Sequence, residues 1–195
     1  GRLAVPAECD RVVLRLAGEG PAPAAAPPAT APDRYRIAFV PGFFSECFDR
    51  YARPFIDVER ELRAEGYTVE YLAVSGRGTS AANAARLAAR IDALPEDPRP
   101  LIVVAYSKGL VDMLELAVRH PEAARRIAAI VSVAGAANGS PLAAQLHAVY
   151  RDWVAEFPLP GCEAGTGEEI HDLRRDVRLD WWRRNATAMT LPVFA

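Results

Sequence analysis

The sequence predicts an α/β fold in which helices cover both faces of a parallel sheet. Residues 101–105 (LIVVA) form a short run that is apolar at every position, the pattern of a strand buried on both faces. Such runs alternate with longer amphipathic segments, and strands that alternate with helices need right-handed crossovers between parallel strands. With 195 residues, 51% of them hydrophobic and 25% charged, the chain is long enough to bury a sizeable core.

The N-terminal part of the chain is predicted to lie outside the main domain. Residues 11–16 (RVVLRL) predict a short strand, but Gly, Ala and Pro dominate residues 18–32 and interrupt strands and helices. We therefore expect an N-terminal strand and linker over 1–32 and the folded domain over 33–195. The first residue is Gly1 rather than methionine, which leaves the natural start of the chain open.

Strands and helices alternate along the predicted domain. The patterns predict strands at 36–40, 68–74, 101–105 and 127–133, helices at 55–64, 80–94 and 110–119, and the start of a further strand at 191–195. Gly66 and Pro95 follow two of the helical patterns, as residues that end helices do.

Residues 140–186 interrupt this alternation and predict a helical lid insertion. A helix is expected over 142–156, a loop with Pro and Gly over 157–167, and a charged helix over 168–184. The arginines of the charged helix predict a solvated face; they are Arg174, Arg175, Arg178, Arg183 and Arg184.

Charge and hydropathy exclude two classes of partner. The balance of 25 acidic against 23 basic residues leaves no broad basic surface for nucleic acid. No run approaches the roughly 18 to 20 apolar residues that cross a bilayer, and no signal-peptide pattern opens the chain. The sequence therefore favours a soluble, cytoplasmic chain without integral membrane association, while export and the oligomeric state remain open. Lys108 is the only lysine, and this arginine bias suggests a GC-rich bacterial source.

The cysteines do not form a metal-binding motif. Cys9, Cys47 and Cys162 lie far apart without CxxC spacing, which argues against a structural zinc site. One disulfide bridge, with one thiol left over, remains open.

The sharpest chemical signal is Ala105-Tyr106-Ser107-Lys108-Gly109, between a predicted strand and a predicted helix. Small residues two positions before and after a serine permit the strained turn of a nucleophile elbow, which lifts the hydroxyl above the sheet. Serine is also a favoured N-cap residue, so a purely structural role for Ser107 is the alternative.

A second segment, Pro41-Gly42-Phe43-Phe44, directly follows the predicted strand at 36–40. The oxyanion of acyl transfer is stabilised by two N–H groups, one after the nucleophile and one from a loop after an upstream strand. The candidate donors are the backbone N–H groups of Phe43 and Lys108. The Lys108 side chain is expected to face solvent at the rim of the pocket.

Aromatic residues beside these motifs predict an apolar pocket. Phe44 and Tyr106 adjoin the candidate donor and the candidate nucleophile, and are the candidate substrate-binding residues. Other aromatic residues are divided between this pocket and core or lid packing; they are Phe48, Tyr51, Trp153, Phe157, Trp181 and Trp182.

Together these motifs resemble the α/β-hydrolase superfamily and, within it, the bacterial lipase-like and esterase-like serine hydrolases. FVPGFF is similar to the family's oxyanion strand and loop, VVAYSKG to its elbow, and SVAGAANGSPLA to a lipase segment after the next strand. The resemblance, which covers 36–195, implies an enzyme that cleaves carboxylic esters or thioesters through an acyl-enzyme on Ser107. It implies a small-molecule or lipid acyl substrate and no metal or organic cofactor.

The sequence departs from the family at its C-terminal end. The family order is serine, then acid, then histidine, and both later groups follow strands that these residues do not reach. The resemblance therefore implies a sheet that is incomplete at the C-terminus, with the acid and the histidine beyond Ala195. His120 is expected about 20 Å from Ser107 along a helix. His147 and His171 in the insertion are the alternative bases, and a non-catalytic binding domain that lacks a triad is the alternative function.

Overall fold

The computed structural model describes residues 31–49 and 53–195. The predicted strand at 11–16, most of the predicted linker, Cys9 and Tyr51 lie outside the described residues.

Five strands of the described residues form one parallel sheet in the order β2-β1-β3-β4-β5. They are β1 (Arg36–Val40), β2 (Val69–Tyr71), β3 (Leu101–Tyr106), β4 (Ile127–Val133) and β5 (Val193–Phe194). The predicted parallel sheet is therefore confirmed. Strand β2 is shorter than the predicted 68–74, because only three of its residues pair with β1.

Helices follow the strands in the predicted alternation. They are α1 (Ser45–Phe48), α2 (Ile56–Ala64), α3 (Ser80–Asp92), α4 (Lys108–Arg119), α5 (Pro121–Ala124), α6 (Pro141–Val149), α7 (Glu168–His171) and α8 (Arg175–Asn185). The hydroxyl of Thr79 accepts a hydrogen bond from the Ala82 N–H at 3.2 Å and caps the start of α3. Helix α4 begins at Lys108, two residues earlier than predicted, directly after the elbow.

Helices pack on both faces of the sheet because the side chains of β1 alternate between two cores. Ala38 and Val40 belong to the larger core, to which α3, α4 and α8 contribute buried residues such as Leu87 and Leu114. The other face of β1 packs in a smaller core with residues of and beside α2. This layered packing fixes the carboxyl ends of β1 and β3 side by side.

The insertion is more broken than predicted. The expected helix at 142–156 is α6 followed by a π-helical turn over Tyr150–Val154, and the expected helix at 168–184 is split into α7 and α8. The carboxylate of Glu169, fully buried, accepts hydrogen bonds from the Gly167 N–H at 2.9 Å and the Tyr150 hydroxyl at 2.6 Å. This carboxylate ties the start of α7 to the π turn.

The solvated face predicted for the charged helix is wrong at Arg178. Only 1% of Arg178 is exposed, because α8 packs on the larger core through Trp181. The Arg178 guanidinium lies 4.4 Å from the Trp181 ring centroid, and its Nε donates to the Ala137 carbonyl at 3.3 Å. Burial lowers the pKa of this guanidinium.

A disulfide and a set of hydrogen bonds also connect the insertion to the body. A disulfide joins Cys47 in α1 to Cys162, 115 residues further along the chain. The buried guanidinium of Arg77 donates to the carbonyls of Ala155 and Phe157, each at 2.9 Å, and to that of Glu163 at 2.8 Å. These contacts bind the 154–163 segment to the loops that follow β1 and β2.

In the part of the chain described here, every helix is too short or too polar to span a bilayer.

Candidate active site

Ser107 occupies a strained turn between β3 and α4. Its backbone has φ 52° and ψ −118°, a region that non-glycine residues rarely adopt. The Ser107 N–H donates to the Val133 carbonyl at 3.0 Å, and the Ser107 carbonyl accepts from the Ala136 N–H at 3.2 Å. Ser107 does precede α4 in the N-cap position, but its side chain makes no capping hydrogen bond, so capping does not explain the residue.

Two glycines allow the end of β1 to approach this turn. A Cβ atom on Gly42 would lie 2.9 Å from the Ser107 Cβ, closer than real side chains come. A Cβ atom on Gly109 would lie 2.8 Å from the Val40 carbonyl oxygen and would also overlap the Pro41 carbonyl. The loop after β1 and the first turn of α4 are therefore in direct contact beside the serine.

Both candidate backbone donors are free in the described residues. Neither the Phe43 N–H nor the Lys108 N–H has an acceptor there, whereas the next amide, Phe44 N–H, donates to the Gly76 carbonyl at 3.2 Å. Lys108 is the first residue of α4, where N–H groups have no partner within the helix and the helix dipole favours negative charge. A region with two unpaired donors beside a hydroxyl is suited to a developing oxyanion.

An apolar cavity of about 260 Å³ lies between the loop after β1 and the insertion. Phe43 and Phe44 form one side, and Leu146 and Tyr150 are part of the other. The cavity wall does not include Tyr106, which packs edge-on against Phe55 with ring centroids 5.8 Å apart.

The remaining aromatic residues are divided between core and surface. Trp181 is buried in the larger core, and Trp182 packs against it. Phe48, Trp153 and Phe157 are exposed.

Comparisons with known proteins bear on the fold of the chain. No protein-family model matches the chain, and neither does any curated protein sequence. Among solved structures, the metagenomic carboxyl esterase MGS0156 is similar with a TM-score of 0.81 and 35% identity, over 92% of this chain and 54% of the esterase. The chain has the α/β-hydrolase fold of esterases and lipases. It spans about half the length of that esterase.

More distant structures share the α/β-hydrolase fold alone. The mature form of Bacillus licheniformis lipase BlEst2 has a TM-score of 0.64 and 17% identity, over 87% of this chain and 68% of the lipase. Phospholipase PlaB from Legionella pneumophila has a TM-score of 0.54 and 13% identity, over 83% of this chain and 38% of the phospholipase.

The Lys108 side chain does not lie at the rim of this α/β-hydrolase domain, contrary to the prediction. It is 1% exposed, and its Nζ donates to Asp112 Oδ1 at 2.6 Å, one turn further along α4. Asp112 is equally buried, and burial raises the pKa of its carboxyl while the Lys108 ion pair and the Asn83 hydrogen bond act in the opposite direction. The lysine is therefore part of the interior of the hydrolase fold.

Among the described residues, no side chain hydrogen-bonds to the Ser107 hydroxyl. His120 follows the last turn of α4, at the end opposite the serine. The rings of His147 and His171 lie 5.6 Å apart within the insertion.

Sequence reasoning missed two buried polar residues of this α/β-hydrolase domain, Asn83 and Arg77. Asn83 shares the buried face of α3 with Leu87 and Ile91, four and eight residues further on. An amide at a position of helical apolar spacing was a signal available in the sequence. Arg77 carried no such signal, because its acceptors lie more than 75 residues away along the chain.

Proposed function

We propose that this protein is a serine ester hydrolase that works through an acyl-enzyme on Ser107. The observation that carries the proposal is the strained Ser107 turn packed against Gly42, with the free N–H groups of Phe43 and Lys108 beside it. A strained nucleophile and preorganised donors are the parts that acyl transfer requires from a protein.

The proposed reaction has two steps. Ser107 Oγ attacks the carbonyl carbon of the ester, its proton passes to a general base, and the carbonyl electrons move to oxygen. The Phe43 and Lys108 N–H groups stabilise that oxyanion until its collapse expels the alcohol or thiol, which takes the proton back from the base. Water, deprotonated by the same base, then attacks the acyl-enzyme, and the acid leaves as the proton returns to Ser107 Oγ. Each such donor contributes about 10² to 10³ in kcat in known serine hydrolases. This chemistry needs no metal or organic cofactor.

The general base is proposed to be a histidine oriented by an acidic residue, both outside the described residues. Support comes from the Ser107 hydroxyl, which has no side-chain partner within the described part of the chain. A serine without a base is a poor nucleophile at neutral pH, so the hydrolase proposal requires this group.

The proposed substrate is a small-molecule or lipid ester or thioester whose acyl chain enters the apolar cavity. Phe44 forms part of that cavity and is the proposed acyl contact. Tyr106, 36% exposed beside the serine, is the proposed contact for the leaving group. The names of the similar solved structures, a carboxyl esterase and a lipase, favour an ester.

A second candidate is a non-catalytic binding domain that keeps the hydrolase fold without a triad. The observation that favours it is the missing base at Ser107 within the described residues. The same apolar cavity would then hold an acyl group without cleaving it.

Covalent labelling tests the two candidates. The complete gene product is incubated with a fluorophosphonate probe, and the labelled residue is found by peptide mass spectrometry. We expect labelling at Ser107, lost in Ser107→Ala and kept in Ser132→Ala, a control serine on the neighbouring strand β4. Folded protein that remains unlabelled would exclude the hydrolase and favour the binding domain.

A further inference from the structure

A continuous chain of buried polar contacts begins at the residue after the nucleophile. Lys108 Nζ donates to Asp112 Oδ1 at 2.6 Å, and Asn83 Nδ2 donates to Asp112 Oδ2 at 2.8 Å. The same Asn83 nitrogen donates to the Ser75 carbonyl at 2.8 Å. Lys108, Asp112 and Asn83 are each no more than 1% exposed. This chain therefore joins α4 to α3 and to the loop that follows β2.

The loop after β2 contacts the loop after β1 directly. The Gly76 carbonyl accepts the Phe44 N–H at 3.2 Å, and a Cβ atom on Gly76 would lie 2.6 Å from the Phe44 nitrogen. The Glu46 carboxylate accepts hydrogen bonds from the Ser75 hydroxyl at 3.1 Å and from the Gly76 N–H. Residues 75–76 therefore hold the Phe43–Phe44 peptide, which directly follows the peptide that carries the Phe43 N–H.

We propose that Asn83 is a positioning residue that, with Asp112 and the Lys108 side chain, sets the separation of the Phe43 and Lys108 N–H groups. This inference rests on the proposed hydrolase function for its catalytic consequence. Asn83 does not contact the proposed oxyanion. It acts on the oxyanion only indirectly, through Ser75, Gly76 and Phe44.

Hydrogen-bond geometry explains why an amide is suited to this place. One amide nitrogen has two N–H groups, and at Asn83 they meet acceptors from two different elements, which fixes both distances at once. Asn83 Oδ1 is buried without a partner in the described residues, a cost that an apolar side chain would avoid. A residue selected only for packing at this apolar helix position would be Leu or Ala.

The test compares Asn83→Leu with the parent in the complete gene product, with Asn83→Ala as a second variant of smaller volume. Leu87→Val is the matched control, because it perturbs the same buried face of α3 one turn away without touching the polar chain. Hydrogen exchange at the Phe44 amide reports the loop directly, and the kinetics of fluorophosphonate labelling report the two donors.

We expect exchange at the Phe44 amide to become at least tenfold faster in both Asn83 variants and to stay unchanged in Leu87→Val. The limiting labelling rate should fall at least tenfold while the probe concentration for half-maximal rate stays the same, because the donors act on the transition state. Parent-like exchange at Phe44 in a folded Asn83 variant would overturn the inference. Faster exchange with a parent-like limiting rate would overturn it equally. If the parent itself is not labelled, the proposed function fails, and exchange at Phe44 alone decides whether Asn83 positions the loop.

Discussion

Helix α4 and the insertion border the same site, yet different contacts hold them in place. Ten of the twelve residues of α4 are buried, because the helix lies between the sheet and neighbouring helices. In α6, which opens the insertion, only Ala143 is buried, and Leu142, Leu146 and Val149 are exposed. Apolar burial therefore holds α4 over almost its whole length. The insertion combines a smaller apolar cluster, with Tyr150, Ile170 and Leu173, and the burial of Trp181 with discrete contacts such as those of Arg77 and the disulfide.

This difference has a consequence for single substitutions. In the body, burial is spread over many side chains, so removing one of them costs its transfer free energy plus a cavity. In α6, most apolar side chains are exposed and contribute little, while the loss of a covalent or polar contact such as the disulfide frees the segment that it holds. Substitutions in the two regions should therefore differ in size and in how far their effects extend.

The largest expected effect is in the body. Leu114→Ala, at a fully buried position of α4, should lower the free energy of unfolding by about 2–5 kcal/mol. Leu146→Ala, at a residue that is 42% exposed in α6, should change it by about 0.5 kcal/mol or less. Denaturant titration of both variants measures the difference. Equal losses would show that α6 depends on apolar burial as much as α4 does.

The disulfide should give the next largest effect. Cys47→Ser removes the bridge to Cys162, and a disulfide typically contributes about 2–4 kcal/mol to the free energy of unfolding. We expect faster hydrogen exchange across residues 154–163 and parent-like exchange in β3. A reductant should lower the free energy of unfolding of the parent to that of Cys47→Ser and should leave the stability of that variant unchanged. A further loss on reduction of the variant would contradict the assignment.

Removing a surface ion pair should change stability least of the three kinds of substitution. The change should be similar in the body and in the insertion. The side-chain hydrogen bond from Arg99 lowers the pKa of Asp97 in the body, and that from Arg174 lowers the pKa of Asp176 in the insertion. A lowered folded-state pKa contributes stability above the unfolded carboxyl pKa of about 3.9, and that contribution is lost as the pH falls through the folded-state value.

Asp97→Asn and Asp176→Asn should therefore each show a slightly lower Tm than the parent at pH 7, with the differences vanishing in strong acid. Thermal melts over a pH series check both. If the difference in Tm between variant and parent increased as the pH fell, the folded-state pKa of the aspartate would not be lowered, and the ion pair would be refuted.

The local sequence determined the strands and the elbow. Residues 101–105 are apolar at every position and Gly109 follows Ser107 by two, so the strand and the sharp turn after it could be predicted without tertiary contacts. The contacts of three other residues could not be predicted in this way. The sequence placed the side chains of Lys108 and Arg178 in solvent, and it left the partner of Cys47 open.

Only the tertiary structure decided what those side chains contact. The alternation of strands and helices and the spacing of glycines depend on residues that are close in the sequence, so they determine local backbone structure without distant contacts. The burial of Lys108 depends on α3 covering α4, and the Arg77 contacts depend on a segment more than 75 residues away. A buried charge needs a partner, and which partner is near is settled only when distant segments of the chain pack together.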